Sequence, residues 1–169
     1  NAPITIEGVT LAPHSVYACV DGGLDNDIGL MLLRKKSMGA GWNGGTTVTV
    51  QDPFSGQDYA VQFDRPEEVN IYMQVTVRAG APFSDVPNTI RDAILQYANG
   101  EQTDEDGFVV GGDVSAFEIA SAVNRIAAPI YITNLEMSTD GVAFSTATIP
   151  ITIGQVARTA AGFINVTVT

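Results

Sequence analysis

The nine residues from Val69 to Val77 constrain this chain more than any other stretch. Val69, Ile71, Met73, Val75 and Val77 alternate with Asn70, Tyr72, Gln74 and Thr76. Successive side chains of a strand point to opposite faces, so this segment presents one apolar face and one polar face. A helix would scatter the same five apolar residues around its circumference. The fold must therefore supply a layer against which one face of a strand can pack.

Downstream, the pattern changes to helical spacing. Pro87 suits the first turn of a helix, and Ile90, Ala93, Ile94 and Tyr97 form its buried stripe until Asn99-Gly100 stops it. The segment from Glu101 to Gly107 reads as an acidic loop. Ser115 and Glu118 have the spacing of a capping box, in which hydroxyl and carboxylate each satisfy one orphan N–H. Ile119, Ala122, Val123 and Ile126 continue that helix to Pro129. Ile130 to Met137 predicts a strand, Asp140-Gly141 a hairpin turn, and Val142 to Thr148 its partner. Gln155 to Ala161 reads as a short polar link. Phe163, Ile164, Val166 and Val168 predict a terminal strand.

Upstream, Val16 to Val20 predicts a short buried strand, broken by Gly22-Gly23. Asp25 or Asp27 is placed to cap a helix start. Ile28, Met31, Leu32 and Lys35 follow at i, i+3, i+4 and i+7, an apolar stripe ending in charge. Arg34-Lys35-Lys36 suits the negative end of the helix dipole, and Gly39 and Gly41 end the helix. Thr46 to Val50 is one strand. Tyr59, Val61 and Phe63 mark the next, joined by the Pro53 and Gly56 loop. Pro66 limits that strand, and Glu67-Glu68 forms a polar joint. The expected fold is α+β. It has two small sandwich-like domains, residues 1–66 (strand-helix-strand-strand) and 67–169 (strand-helix-helix-strand-strand-strand). Each is a largely antiparallel sheet with helices on one face.

Composition excludes several functions. The chain has 169 residues and a formal net charge of −11. That charge opposes binding to a nucleic-acid backbone or an anionic membrane, both of which need clustered Lys and Arg. No apolar run approaches the ~20 residues that span a bilayer. Cys19 is the only cysteine, so no intrachain disulfide forms, and its apolar setting predicts an inert buried thiol. His14, the only histidine, has no Gly-x-Ser-x-Gly elbow to serve. Asp104-Glu105-Asp106 lacks the alternation of a calcium loop and reads as solvated. The carboxylates from Asp21 to Asp27 read as helix caps. The glycines at 39, 41, 44 and 45 leave a helix rather than enter one, so they read as turn formers, not as a phosphate cradle. The candidate contact residues are Arg34, Lys35, Lys36 and Trp42. A tryptophan in such a glycine loop either folds back onto its own domain or anchors an interface.

Several segments occur in one order. Val20-Asp21-Gly22-Gly23 precedes the first helix and Arg34-Lys35-Lys36-Ser37-Met38-Gly39 closes it. Phe63-Asp64-Arg65-Pro66 precedes the alternating strand. Val110-Gly111-Gly112-Asp113-Val114 precedes the later helix. Ile149-Pro150-Ile151 comes before the terminal strand. In this order the chain resembles the C-terminal portion of baseplate J-like proteins, the wedge proteins of contractile phage tails. The resemblance implies a structural protein without active site, cofactor or metal. It also implies partners in copies of itself and other wedge proteins, and a homo-oligomeric ring in the assembled particle. The expected place is the virion tail baseplate, with the bacterial cytoplasm as the site of assembly. A reading from another class is a small-ligand or carbohydrate-binding module, with Trp42, Tyr59 and Tyr72 lining a groove. A hydrolase reading would need titratable groups with mutual geometry.

Overall fold

The computed structural model describes residues 2–37, 39–79, 85–102, 106–126 and 130–169. The expectations placed on Asp104, Glu105 and Pro129 lie outside these residues. Among the described residues the fold is α+β, with three α-helices and eleven strands. The chain divides into two compact units, one of Asn1–Glu67 with Thr152–Gln155, the other of Glu68–Ile151 with Val156–Thr169. The short return at 152–155 is absent from a division at residue 66. Among the described residues no helix is long and apolar enough to cross a membrane.

The first unit opens with an antiparallel hairpin of β1 (Ile4–Ile6) and β2 (Val9–Leu11), which the sequence did not reveal. Strand β3 (Ser15–Tyr17) is shorter than expected and only half-buried. Beyond it, Cys19 makes a single parallel bridge to Asp64. Helix α1 (Asp25–Lys35) is capped by Leu24 without a side-chain bond, so neither Asp25 nor Asp27 caps it. Both instead lie in the first turn, where negative charge suits the dipole. The stripe is rotated from the expected one. Met31 is half-exposed and Gly29 is buried, where a Cβ would lie 2.5 Å from Val48 Cγ1 and 2.9 Å from Val50 Cγ1. Glycine is what lets the helix approach the sheet this closely.

Strand β4 (Gly41–Asn43) pairs in parallel with β3, so Gly41 and Trp42 belong to a strand rather than a loop. Strands β5 (Thr46–Gln51) and β6 (Asp58–Phe63) form the expected antiparallel hairpin, with Val50, Val61 and Phe63 buried. Gly44 has φ +154°, and a Cβ there would sit 2.5 Å from the Phe63 carbonyl carbon. The turn into β5 therefore crosses the β6 backbone where no side chain fits.

The long alternating segment is divided. Strand β7 (Glu67–Asn70) comes first and takes in the Glu67-Glu68 joint. Strand β8 (Tyr72–Ala79) follows after Ile71. Ile71, Met73, Val75 and Val77 are buried as their alternation predicts. Helix α2 (Val86–Ala98) starts at Asp85, whose carboxylate accepts the Asn88 N–H, and carries Pro87 in its first turn. Its Ile90, Ala93, Ile94 and Tyr97 face the core. Helix α3 (Ala116–Ile126) begins directly after Ser115 and buries Ile119, Ala122 and Val123. Strand β9 (Ile130–Ser138) pairs antiparallel with β8.

Two expectations for this unit fail. Residues 142–148 form no strand, only a single bridge from Ser145 to Met137. The Asp140 carboxylate accepts the N–H groups of Val142 (2.8 Å) and Ala143 (3.0 Å). A side-chain-closed turn thus replaces the hairpin, and Val142 is 83% exposed. The supposed link contains strand β10 (Gln155–Arg158), which pairs with β7 and buries Val156 and Ala157. Strand β11 (Ile164–Val168) runs parallel to β8, giving the sheet order β11-β8-β9. Its buried face packs with α2 and α3 in one continuous core.

Candidate protein-contact surface

The loop from β5 to β6 is closed by one carboxylate. Asp52 accepts the Phe54 N–H (3.2 Å), the Ser55 N–H (3.2 Å) and the Ser55 hydroxyl (2.6 Å). The Ser55 hydroxyl, ahead of the Phe54 amide, holds this carboxyl below the usual carboxylate range. Gly56 supplies φ +69°, and its N–H returns to the Asp52 carbonyl at 2.8 Å. The turn leaves Phe54 92% exposed at its tip. An apolar ring held in water by a closed turn is the strongest contact signal on this unit.

Beside the loop, the last turns of α1 complete a groove of about 410 Å³. It is lined by Leu30, Leu33, Arg34, Lys36, Ser37, Asp52, Phe54 and Tyr59. The lining joins two leucines and two aromatic rings to two cations and the Asp52 carboxylate, on which the Arg34 charge acts. Two of the candidate residues, Arg34 and Lys36, therefore meet at one surface. Lys36 donates to the Ala40 carbonyl and lies 5.1 Å from the centre of the Trp42 ring, within cation–π range. Trp42 is half-buried in β4 and does not line the groove. Lys35 is exposed and also stays off the groove. Sequence reading missed Phe54, although Asp-Pro-Phe-Ser-Gly held the signal: an Asp with a Ser three residues on, flanking an aromatic.

The segments that carry the family resemblance meet in pairs. In the first unit the Arg65 guanidinium donates to the carbonyls of Val20 (3.0 Å), Gly22 and Gly23 (2.9 Å), and to Asp25. The backbone adds Val20 N–H to Asp64 O and Asp64 N–H to Ala18 O, at 2.9 and 2.8 Å. Asp64 also accepts the Gly45 N–H. In the second unit Val114 and Ile149 exchange backbone bonds of 2.9 Å each, and Asp113 accepts the Ile151 N–H at 2.9 Å. Val-Asp-Gly-Gly is thus bound to Phe-Asp-Arg-Pro, and Gly-Gly-Asp-Val to Ile-Pro-Ile.

Titratable groups elsewhere point to framework roles. Burial, then the Cys19 and Asp64 charges, pushes the Tyr17 phenol up. Burial also raises the Cys19 thiol, which works against a thiolate nucleophile. His14 is exposed at a turn with φ 55°. Among the described residues no three His, Cys, Asp or Glu side chains gather as a metal would require. Of the proposed aromatic trio, Tyr59 lines the groove. Tyr72 belongs to the second unit and packs against Phe163, the rings tilted by 42° with centres 4.4 Å apart. A second, smaller groove of about 280 Å³ lies between α3 and β9, beneath the 82% exposed Phe117. No family model and no curated protein matches the chain.

Proposed function

We propose that this chain is a structural component of the baseplate wedge of a contractile phage tail or a prophage-derived particle. It acts by protein–protein assembly and not by catalysis. The observation that carries this reading is the pairing of the resemblance-bearing segments. Their Asp, Arg and Gly residues satisfy backbone groups of one another, the work of a frame that holds surfaces in place. Residues spent on such bonds are the ones a wedge protein would share with relatives of different surface and different chemistry. Its partners are copies of itself and other wedge proteins, in the tail baseplate.

Affinity capture of the full-length protein from its native cells, with identification of what accompanies it, tests the proposal. Tail or baseplate proteins in one large particle are the expected companions. Recovery of the protein alone, while contractile particles in the same lysate stay intact, refutes the wedge role.

A further inference from the structure

Strand β9 is an edge of the β11-β8-β9 sheet, and the edge is covered at one end only. Met137 exchanges both backbone bonds with Ser145, at 2.7 and 3.0 Å, so its N–H and C=O point away from β8. Backbone groups alternate in direction along a strand. Leu135, two residues back and opposite Val75, therefore points the same way. The register then shifts between Thr76 and Val77 and leaves Thr133 unpaired, which turns Ile132, opposite Val77, outward as well. The Thr133 hydroxyl holds this bulge by donating to the Thr76 carbonyl at 3.1 Å. Among the described residues, no hydrogen bond reaches the outward backbone groups of Ile132 and Leu135. The chain beyond Ser145 leaves β9 and pairs instead through Ile149 with Val114. Its departure opens the groove of about 280 Å³ lined by Ala116, Phe117, Ala120, Ile132, Leu135 and Thr146. That volume is below the roughly 300–1,000 Å³ of ordinary small-ligand pockets and too small for a helix about 10–12 Å across. Space for one or two apolar side chains beside unmet backbone donors and acceptors fits an extended chain.

We infer that the open edge of β9 takes up an extended, basic segment of a different protein as a fourth strand of this sheet. Its backbone bonds Ile132 and Leu135, and its apolar side chains on one face enter the groove under Phe117. Proline is excluded wherever its N–H meets one of those two residues. On the other face, Glu136 of β9 favours a Lys or Arg across from it. Charge selects the same partner at longer range. The second unit holds eleven acidic side chains against four arginines and no lysine. A basic segment is drawn to it, whereas another copy, of net charge −11, is repelled. Strand addition serves any assembly role, so the inference stands apart from the wedge reading.

Selection of displayed random heptapeptides on the intact chain is the test. The selected peptides should alternate apolar with polar residues, carry Lys or Arg and lack proline. A synthetic copy of one should protect the Ile132 and Leu135 amides from hydrogen exchange. N-methylation of every second amide in that peptide should weaken binding about tenfold or more in one phase and little in the other, because alternate residues make the edge bonds. Phe117→Ser, at an exposed site, and Ala120→Arg, at a half-buried one, should each cost about tenfold, with circular dichroism to check the fold. Phe54→Ser, in the first unit, should leave binding unchanged. Failure to select any binder overturns the inference, as do peptides that ignore both groove variants. Binding that survives N-methylation in either phase also overturns it, since side chains alone then dock. So does sedimentation that shows copies of this chain pairing through β9, an association lost in Ala120→Arg, because the occupant is then a second copy.

Discussion

Arg65→Met should loosen the loop at residues 20–25 without unfolding the second unit. Methionine keeps most of the stem and removes the fork. The bond to the Val20 carbonyl is partly buried. A charged donor there contributes about 1.5 kcal/mol, the lower end of its usual range. The Gly22 and Gly23 carbonyls are exposed, so water replaces much of what they lose, leaving roughly 0.5 kcal/mol each. The Asp25 pair is exposed by 33% and 54% at its two side chains and adds about 0.5 kcal/mol. The total is about 3 kcal/mol, or roughly a hundredfold in local opening. Amide hydrogen exchange at Val20 and Asp64 reads it directly, because both N–H groups lie in the ladder that Arg65 braces. Asp25→Asn, which removes only the ion pair, should change exchange by less than about threefold. The reasoning fails if Arg65→Met changes both amides by less than tenfold, or if Asp25→Asn matches it.

Gly29→Ala sets helix propensity, a gain of up to about 1 kcal/mol, against overpacking of 1–3 kcal/mol. Valine methyls at 2.5 and 2.9 Å cannot rotate away freely, so urea titration should show a net loss of about 1 kcal/mol. A stabilised variant would show that the helix lifts off without penalty. Asp140 is held at about 2, first by the Ser138 hydroxyl and then by the Ala143 and Val142 amides. A lowered folded value means a contribution to stability that is present above the unfolded value near 4 and lost as pH falls toward 2. Carbon NMR should place its midpoint near 2, and a midpoint near 4 would mean that the turn is open in solution. Cys19 should alkylate more slowly in the folded chain than in urea at pH 8, since burial raises its thiol. Equal rates would contradict that burial.

The second unit was the more legible one, for a physical reason. Its elements bury whole faces, and a buried face leaves a period in the sequence. Met73, Val75 and Val77 on β8 show it, as do Ile90, Ala93, Ile94 and Tyr97 on α2. Strand β10 escaped because its two buried residues, Val156 and Ala157, sit among Thr, Gly, Gln and Arg and are too few to set a period. The false strand at 142–148 had the composition of one. Asp140 overrode it by offering nearby amides a side-chain acceptor in place of a neighbouring strand. In the first unit the strands are three residues long in four of six cases up to β6, below the length at which alternation can be distinguished from chance.

The contact surface was half legible for a related reason. Adjacent cations are visible in any sequence, so Arg34 and Lys36 stood out. Whether a side chain joins a surface depends on which way its element faces. The glycines around Trp42 point to a loop, yet the parallel pairing of Val16 with Trp42 makes it part of a strand. Phe54 carries no signal of its own in the sequence, because its exposure is set by Asp52 two positions earlier. The same logic separates the two kinds of signal in this chain. Glycine and aspartate segments such as Val-Asp-Gly-Gly and Gly-Gly-Asp-Val are conspicuous because backbone geometry admits few residues there. That conspicuousness reports the frame, since the first segment's bonds are spent on Phe-Asp-Arg-Pro and the second's on Ile-Pro-Ile, each within its own unit. Residues free to meet a partner are under no such constraint, which is why Phe54 reads as an ordinary loop residue until the turn beneath it is seen.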